Sequence, residues 1–195
     1  MTIALFPGQG VQSPDMGRGL TDASPDVFAA ASDVLEVDVA ELCTSGRSGE
    51  ADLGTTRWAQ PAVLVCGVAA FEILSRGGES FGAAAGHSVG EYAALVGAGA
   101  VSLTDALRII SVRAEATDEA GRSTPGAMAA VMRVDREVVD RICAREGVAL
   151  AAENGPGQFV VSGPVAGLKR AIEALAAAGA VSRHLDVSAA FHSPV

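Results

Sequence analysis

Aromatic side chains are scarce in this chain: one Trp, one Tyr and six Phe among 195 residues, 4% in all. A core with so few rings has to close through small aliphatic side chains, which suits tight packing of helices on a sheet. Cysteine is equally sparse. Cys43, Cys66 and Cys143 are far apart, contain no Cys-x-x-Cys pair and are odd in number, so a disulfide framework is excluded and buried reduced thiols are expected. His87, His184 and His192 are also far apart and lack metal-ligand spacing, which argues against a zinc site. No charge-free apolar run reaches the roughly 18 residues of a membrane span. The start, Met1-Thr2-Ile3-Ala4-Leu5-Phe6, has neither the basic residues nor the cleavage site of a signal peptide; it reads as a buried strand, and the protein as cytoplasmic. Basic residues are few, and the net charge of −9 argues against nucleic acid as a partner. The deficit is one-sided. Residues 1–126 hold seven Arg and no Lys against sixteen Asp or Glu, whereas residues 127–195 are neutral, with seven of each sign. An acidic macromolecule meets less repulsion on the second part.

What is present is a chain able to build a core, 49% apolar and 19% charged. Residues 2–6 predict a strand, 61–76 an apolar helix with Pro61 in its first turn, 81–86 a strand and 89–99 a helix closed by glycine. Ser102-Leu103-Thr104-Asp105 reads as the cap of a helix reaching to about residue 120. Strands separated by helices imply a parallel sheet with helices on both faces. After Ser123-Thr124-Pro125-Gly126 the order changes. A strand at 127–134, a helix at 135–146, strands at 148–153 and 158–163, a helix at 165–178 and a strand at 180–187 give β-α-β-β-α-β, a ferredoxin-like unit over 126–187 set into an α/β domain formed by 1–125 and 188–195. There is no internal repeat and no low-complexity linker.

Gly86-His87-Ser88-Val89-Gly90 sits between the second of these strands and a helix. A Gly-x-Ser-x-Gly turn in that setting is the geometry of a nucleophile elbow, with Ser88 at the tip and the helix N–H groups behind it; a plain Gly-Ser turn is the competing reading. A nucleophilic serine needs a base. His87 adjoins Ser88, where side chains point apart, and reads as support for the turn. His184 in the last strand reads as a surface residue. His192 lies on a loop just beyond that strand, as either the base or a solvated loop histidine. An oxyanion site needs two N–H donors. The amide of Val89 is one, and the loop Pro7-Gly8-Gln9-Gly10, at the carboxyl end of the first strand, can supply the amide of Gln9. A simple β-to-α turn is the alternative for that loop, and a phosphate loop a poorer one, since no Lys-Ser/Thr follows.

Phe6-Pro7-Gly8-Gln9-Gly10-Val11-Gln12, Gln60-Pro61-Ala62, Gly86-His87-Ser88-Val89-Gly90-Glu91-Tyr92, Arg113, Gly126-Ala127-Met128-Ala129-Ala130 and Phe191-His192-Ser193-Pro194 follow one another as in malonyl-CoA:acyl-carrier-protein transacylases. The acyltransferase domains of polyketide synthases share these motifs, and the resemblance covers the whole chain. It implies a hydrolase-like α/β domain carrying the ferredoxin-like insert. It implies a Ser88–His192 dyad, oxyanion donors at Gln9 and Val89, and Arg113 as the grip on the free carboxylate of malonate, with Gln60 ordering the pocket and Asn154 near the cleft. Malonyl differs from acetyl by that carboxylate, which a guanidinium takes bidentately; a hydrogen bond to a charged group is worth about 1.5–3 kcal/mol, or roughly ten- to a hundredfold discrimination. Phe191 resembles the malonyl-selecting residue of polyketide acyltransferases, its ring filling the space that an α-methyl group needs.

The implied reaction has two steps. Ser88 attacks the thioester of malonyl-CoA with His192 as base, CoA leaves, and the malonyl ester passes to the phosphopantetheine thiol of an acyl carrier protein, without metal or redox cofactor. Docking of the acidic carrier is expected near Lys169, Arg170 and Arg183. The motif's position near residue 1 reads as a free-standing enzyme. The family continues beyond the equivalent of Val195, so its C-terminal segment is expected to be absent here, leaving His192 without an orienting group and an apolar surface open to association. The rivals are a serine esterase or thioesterase, which continuous CoA release would reveal, and a non-catalytic carrier-binding fragment.

Overall fold

A computed structural model of the protein describes residues 1–185, 187 and 189–194. They fall into two compact units, Met1–Ala116 and Thr117–Val195.

The first unit opens with β1 (Thr2–Phe6), followed by α1 (Leu20–Ala23), α2 (Pro25–Leu35), α3 (Val39–Ser45) and a short antiparallel pair, β2 (Arg47–Ser48) and β3 (Ala51–Asp52). Then come α4 (Thr56–Arg76), β4 (Phe81–Gly86), α5 (Gly90–Gly97) and α6 (Leu103–Ser123), which runs on past residue 116. β1 and β4 pair in parallel, with Phe6 opposite Gly86, so both strands end at the same level and their following loops lie side by side. This is an α/β fold with a parallel sheet. Its core is the small-residue kind that the composition demands: Ala59, Ala62, Leu64, Val65 and Ala69 on α4 are each fully buried, and Phe6 stacks at a tilt on Phe71.

α4 corrects the sequence reading. It starts at Thr56 rather than at residue 61, so Pro61 lies inside the helix and not in its first turn. Thr55 is extended and its carbonyl accepts from the N–H groups of Trp58 and Ala59 at 3.2 and 2.8 Å, which starts the helix early. Pro61 removes a single donor, the one that would reach the carbonyl of Arg57. Burial of every residue from Ala59 to Val65 offsets that loss. By length and composition α4 is apolar enough to cross a membrane, and 56% of its most apolar window is buried within the protein.

The elements between residues 20 and 52 lie outside the strands and helices expected from the sequence, although cap signals mark them. Ser24-Pro25 opens α2, the Asp38 carboxylate accepts from the Glu41 N–H at 2.8 Å to open α3, and Gly46 at φ 86° closes it. α6 has the cap expected of it. Ser102 Oγ accepts from the Asp105 N–H at 3.1 Å and donates to Asp105 Oδ2 at 2.7 Å.

The second unit contains β5 (Gly126–Met132), α7 (Arg136–Glu146), β6 (Ala149–Gly155), β7 (Gln158–Pro164), α8 (Val165–Ala177) and β8 (Val181–His184). The strands form one antiparallel sheet in the order β6-β7-β5-β8. Val131 and Val161 on the sheet and Leu168 and Leu175 on α8 make its core. β8 is shorter than the strand expected at 180–187. Leu185 adds one bond, from its N–H to the Met128 carbonyl at 2.9 Å, and Asp186 lies outside the described residues.

Candidate active site

Ser88 is held at φ 52°, in the left-handed region that a non-glycine residue rarely enters. Two glycines make that turn feasible, and each is dictated by contact with backbone. A Cβ on Gly86 would lie 2.1 Å from the carbonyl group of Gly90, and one on Gly90 would lie 2.4 Å from the Phe6 carbonyl oxygen. The elbow is tied down on both sides. His87 N–H donates to the Phe6 carbonyl at 3.0 Å, and the Gly90 and Glu91 N–H groups donate back to the His87 and Ser88 carbonyls at 3.0 and 3.1 Å. Strain at a non-glycine residue, locked by surrounding backbone, is characteristic of functional positions. Val89 is buried immediately ahead of α5, so its amide stands at the positive end of that helix.

The loop after β1 lies against the elbow. A Cβ on Gly8 would come within 2.7 Å of the His87 carbonyl oxygen and 2.8 Å of His87 Nδ1, so only glycine lets the Gln9 segment pass there. The His87 ring therefore packs against that loop. Gln9 Nε2 donates to Thr56 Oγ1 at 3.2 Å, which anchors the loop to the start of α4. Thr56 is a contributor that the sequence reading missed. Its only local signal is its place at the start of α4, five residues ahead of the start that Pro61 suggests.

Three elements converge on Ser88. Arg113, half-buried on α6, donates through Nη2 to Ser88 Oγ at 3.0 Å and through Nη1 to Gln60 Oε1. Gln60 on α4 is fully buried. Its amide thus fixes one arm of the guanidinium and leaves the other directed at the serine. The first unit so brings together Ser88, Val89, Gln9, Gln60 and Arg113.

The second unit carries the remaining candidates. His192 is exposed and sits at φ 56°, and Phe191 beside it is half-buried. Their loop is anchored: Ala189 and Ala190 are buried, Ser193 Oγ donates to the Ala190 carbonyl at 2.7 Å, and the Ala190 Cβ occupies the space where a Cβ on Gly126 would sit, 2.4 Å away. Asn154 is exposed on β6, and His184 is exposed on β8. Arg170 pairs with Glu146, its Nε donating to Oε2 at 2.8 Å. Among the described residues no three His, Cys, Asp or Glu side chains are grouped to hold a metal ion.

Residues 4–195 match the family described as the acyl transferase domain. The chain is 39% identical over 198 residues to the malonyl CoA-acyl carrier protein transacylase of Bacillus subtilis, which covers 97% of this chain and 62% of the relative. Among solved structures it resembles that of MCAT from Streptococcus pneumoniae, with a TM-score of 0.88 and 36% identity over 97% of this chain and 64% of the other. It resembles equally a malonyl-transacylase solved in complex with its type II PKS acyl-carrier protein, with a TM-score of 0.88 and 36% identity over 97% and 64%. The chain thus spans somewhat under two thirds of the length of these relatives.

Proposed function

The chain belongs to the acyl transferase domain family, and we propose that it transfers a malonyl group from malonyl-CoA to the phosphopantetheine thiol of an acyl carrier protein, in fatty-acid or polyketide synthesis. The observation that carries this reading is the 3.0 Å contact between Arg113 Nη2 and Ser88 Oγ. A cation at that distance meets the acyl group that forms on Ser88. A guanidinium whose second arm is held by a buried amide is suited to a carboxylate on that group, and malonyl carries one.

Ser88 is the nucleophile and His192 the base. The imidazole takes the Ser88 proton as Oγ attacks the thioester carbonyl, and later returns a proton as CoA leaves. Negative charge on the carbonyl oxygen is met by the amides of Gln9 and Val89. What supports this pair is the Gly8–His87 contact that brings the Gln9 loop beside the elbow, and the position of Val89 at the head of α5. The carrier thiol then attacks the malonyl–Ser88 ester and regenerates the serine. Gln60 orients Arg113. Phe191 restricts the α-carbon substituent of the acyl group, and Asn154 contributes to the cleft. The steps balance with hydrogen bonds and proton transfer alone, so the reading assigns no metal or redox cofactor.

The proposed organisation is a hydrolase-like domain of residues 1–125 with 188–195 and a ferredoxin-like insert of 126–187; by compactness, however, residues 189–194 group with the second unit, where Ala190 packs on Gly126. The β-α-β-β-α-β order and the β6-β7-β5-β8 sheet support the insert; the boundary at Ser188 lies outside the described residues.

Intact mass after mixing the chain with malonyl-CoA tests the reading. A malonyl adduct is expected on the parent and none on Ser88→Ala, with CoA release stopping after one equivalent until carrier protein is added. CoA release that continues without carrier would point to hydrolysis, and an adduct retained on Ser88→Ala would refute the nucleophile.

A further inference from the structure

Between β1 and α1 the chain runs from Pro7 to Gly19 without helix or strand, and Gln9 lies near the start of that stretch. Gln9 stands between Gly8 and Gly10, the residue type whose backbone turns most freely. Gly10 is at φ 106°, and among the described residues nothing lies within 4 Å of where its Cβ would be. Its N–H donates to Gln12 Oε1 at 2.7 Å, a bond within the loop itself. The Gln9 side chain is the handle that reaches out of the loop, and Thr56 takes it: Nε2 donates to Oγ1 at 3.2 Å. Thr56 is 4% exposed, and the turn before it is braced. Asp52 Oδ1 accepts from the Gly54 N–H at 2.8 Å, and the Asp52 carbonyl accepts from the Thr55 N–H at 3.0 Å and from Thr55 Oγ1 at 2.8 Å. The Thr56 hydroxyl is therefore a fixed post. Gln60 lies one helical turn further on the same face of α4, fully buried, where it accepts from Arg113.

We propose that Thr56 is a positioning residue for acyl transfer, which aims the Gln9 N–H at the oxyanion by holding the Gln9 side chain. This rests on the transfer reading, in which the Gln9 amide meets the charge on the carbonyl oxygen. A donor stabilises a developing charge most when it is aimed beforehand, because turning it during the reaction costs part of what the bond supplies. With glycine on both sides, an untethered Gln9 peptide samples many directions. Thr56 and Gln60 then divide the work along one turn of α4. Charge on the carbonyl oxygen is common to every acyl donor, whereas only malonyl has the carboxylate that Arg113 meets. Loss of the Thr56 tether slows malonyl and acetyl transfer alike, and loss of the Gln60 amide changes the preference between them.

Thr56→Val keeps the side-chain volume and removes the acceptor, Thr56→Ser keeps the hydroxyl, and Gln9→Ala removes the donor from the half-buried end of the bond. The burst of CoA release is followed with malonyl-CoA and with acetyl-CoA, since its rate constant does not depend on how much enzyme is folded. Thr56→Val should lower that constant roughly three- to tenfold, the worth of one neutral hydrogen bond, equally for both donors and with the half-saturating concentration unchanged. Gln9→Ala should do the same, the double variant should be no slower than the slower single one, and Thr56→Ser should stay within about twofold of the parent. A parent-like rate in Thr56→Val, losses that multiply in the double variant, or a shifted malonyl-to-acetyl ratio would overturn the proposal. Backbone 15N relaxation reads the loop directly and needs no turnover. The Gln9 N–H order parameter should fall from about 0.85 toward 0.6 in Thr56→Val and Gln9→Ala and recover in Thr56→Ser. An unchanged order parameter refutes the tether even where the parent forms no malonyl adduct, a result that by itself refutes the transfer reading.

Discussion

Replacing Arg113 with alanine removes two contacts at once, the 3.0 Å bond to Ser88 Oγ and the bond to Gln60 Oε1. In the proposed transfer the first of these would be exchanged for the malonyl carboxylate, and an acetyl group has nothing to put there. A hydrogen bond to a charged group is worth about 1.5–3 kcal/mol. Arg113 is half-buried, which keeps part of the water's screening and favours the lower half of that range. Arg113→Ala should therefore lower kcat/KM for malonyl-CoA relative to acetyl-CoA by about ten- to fortyfold. The assay measures CoA release from each donor with saturating carrier protein, on the same preparation. Any loss of folded enzyme cancels in the ratio, so a shift in the ratio reports recognition and not stability. Arg113→Lys keeps the charge but loses the planar fork, and should fall between parent and alanine. Equal loss of both activities, with the ratio unchanged, would show that Arg113 supports the fold of the site and not the carboxylate.

Other expectations follow from packing, capping and ionisation. Gly86→Ala forces a Cβ to within 2.1 Å of the Gly90 carbonyl group, backbone against backbone, and should cost about 3 kcal/mol or more in urea unfolding; unchanged stability would refute the elbow geometry. Ser102→Ala removes the cap of α6 and should lower stability by about 1 kcal/mol, read as a reduced Tm. The Cys143 thiol is raised from 9.0 to about 11 by burial and by Asp140, so the folded state holds its proton where the unfolded state loses it. That contribution is present below pH 9 and disappears as pH rises through about 11. The stability difference between parent and Cys143→Ala should accordingly shrink over that window, and a flat difference would refute the assignment.

Local chemistry determined much of this protein without help from tertiary contacts. The strand–turn–helix around Ser88, the glycines that allow it and the Ser102 cap are all written within a few residues of chain, because a tight turn or a helix end is satisfied by its immediate neighbours. The β-α-β-β-α-β order of the second part was legible for the same reason, with turns at Gly147 and Gly155–Gly157 separating its elements. The start of α4 was not legible. Pro61 reads locally as a helix opening, and only the burial of residues 59–65 makes an internal proline tolerable. Nor does any local pattern join Gln60, Ser88 and Arg113. They lie on α4, the elbow and α6, and packing of distant elements sets their contacts. Motif order could nominate them as a group, but the direction of each guanidinium arm came from the structure.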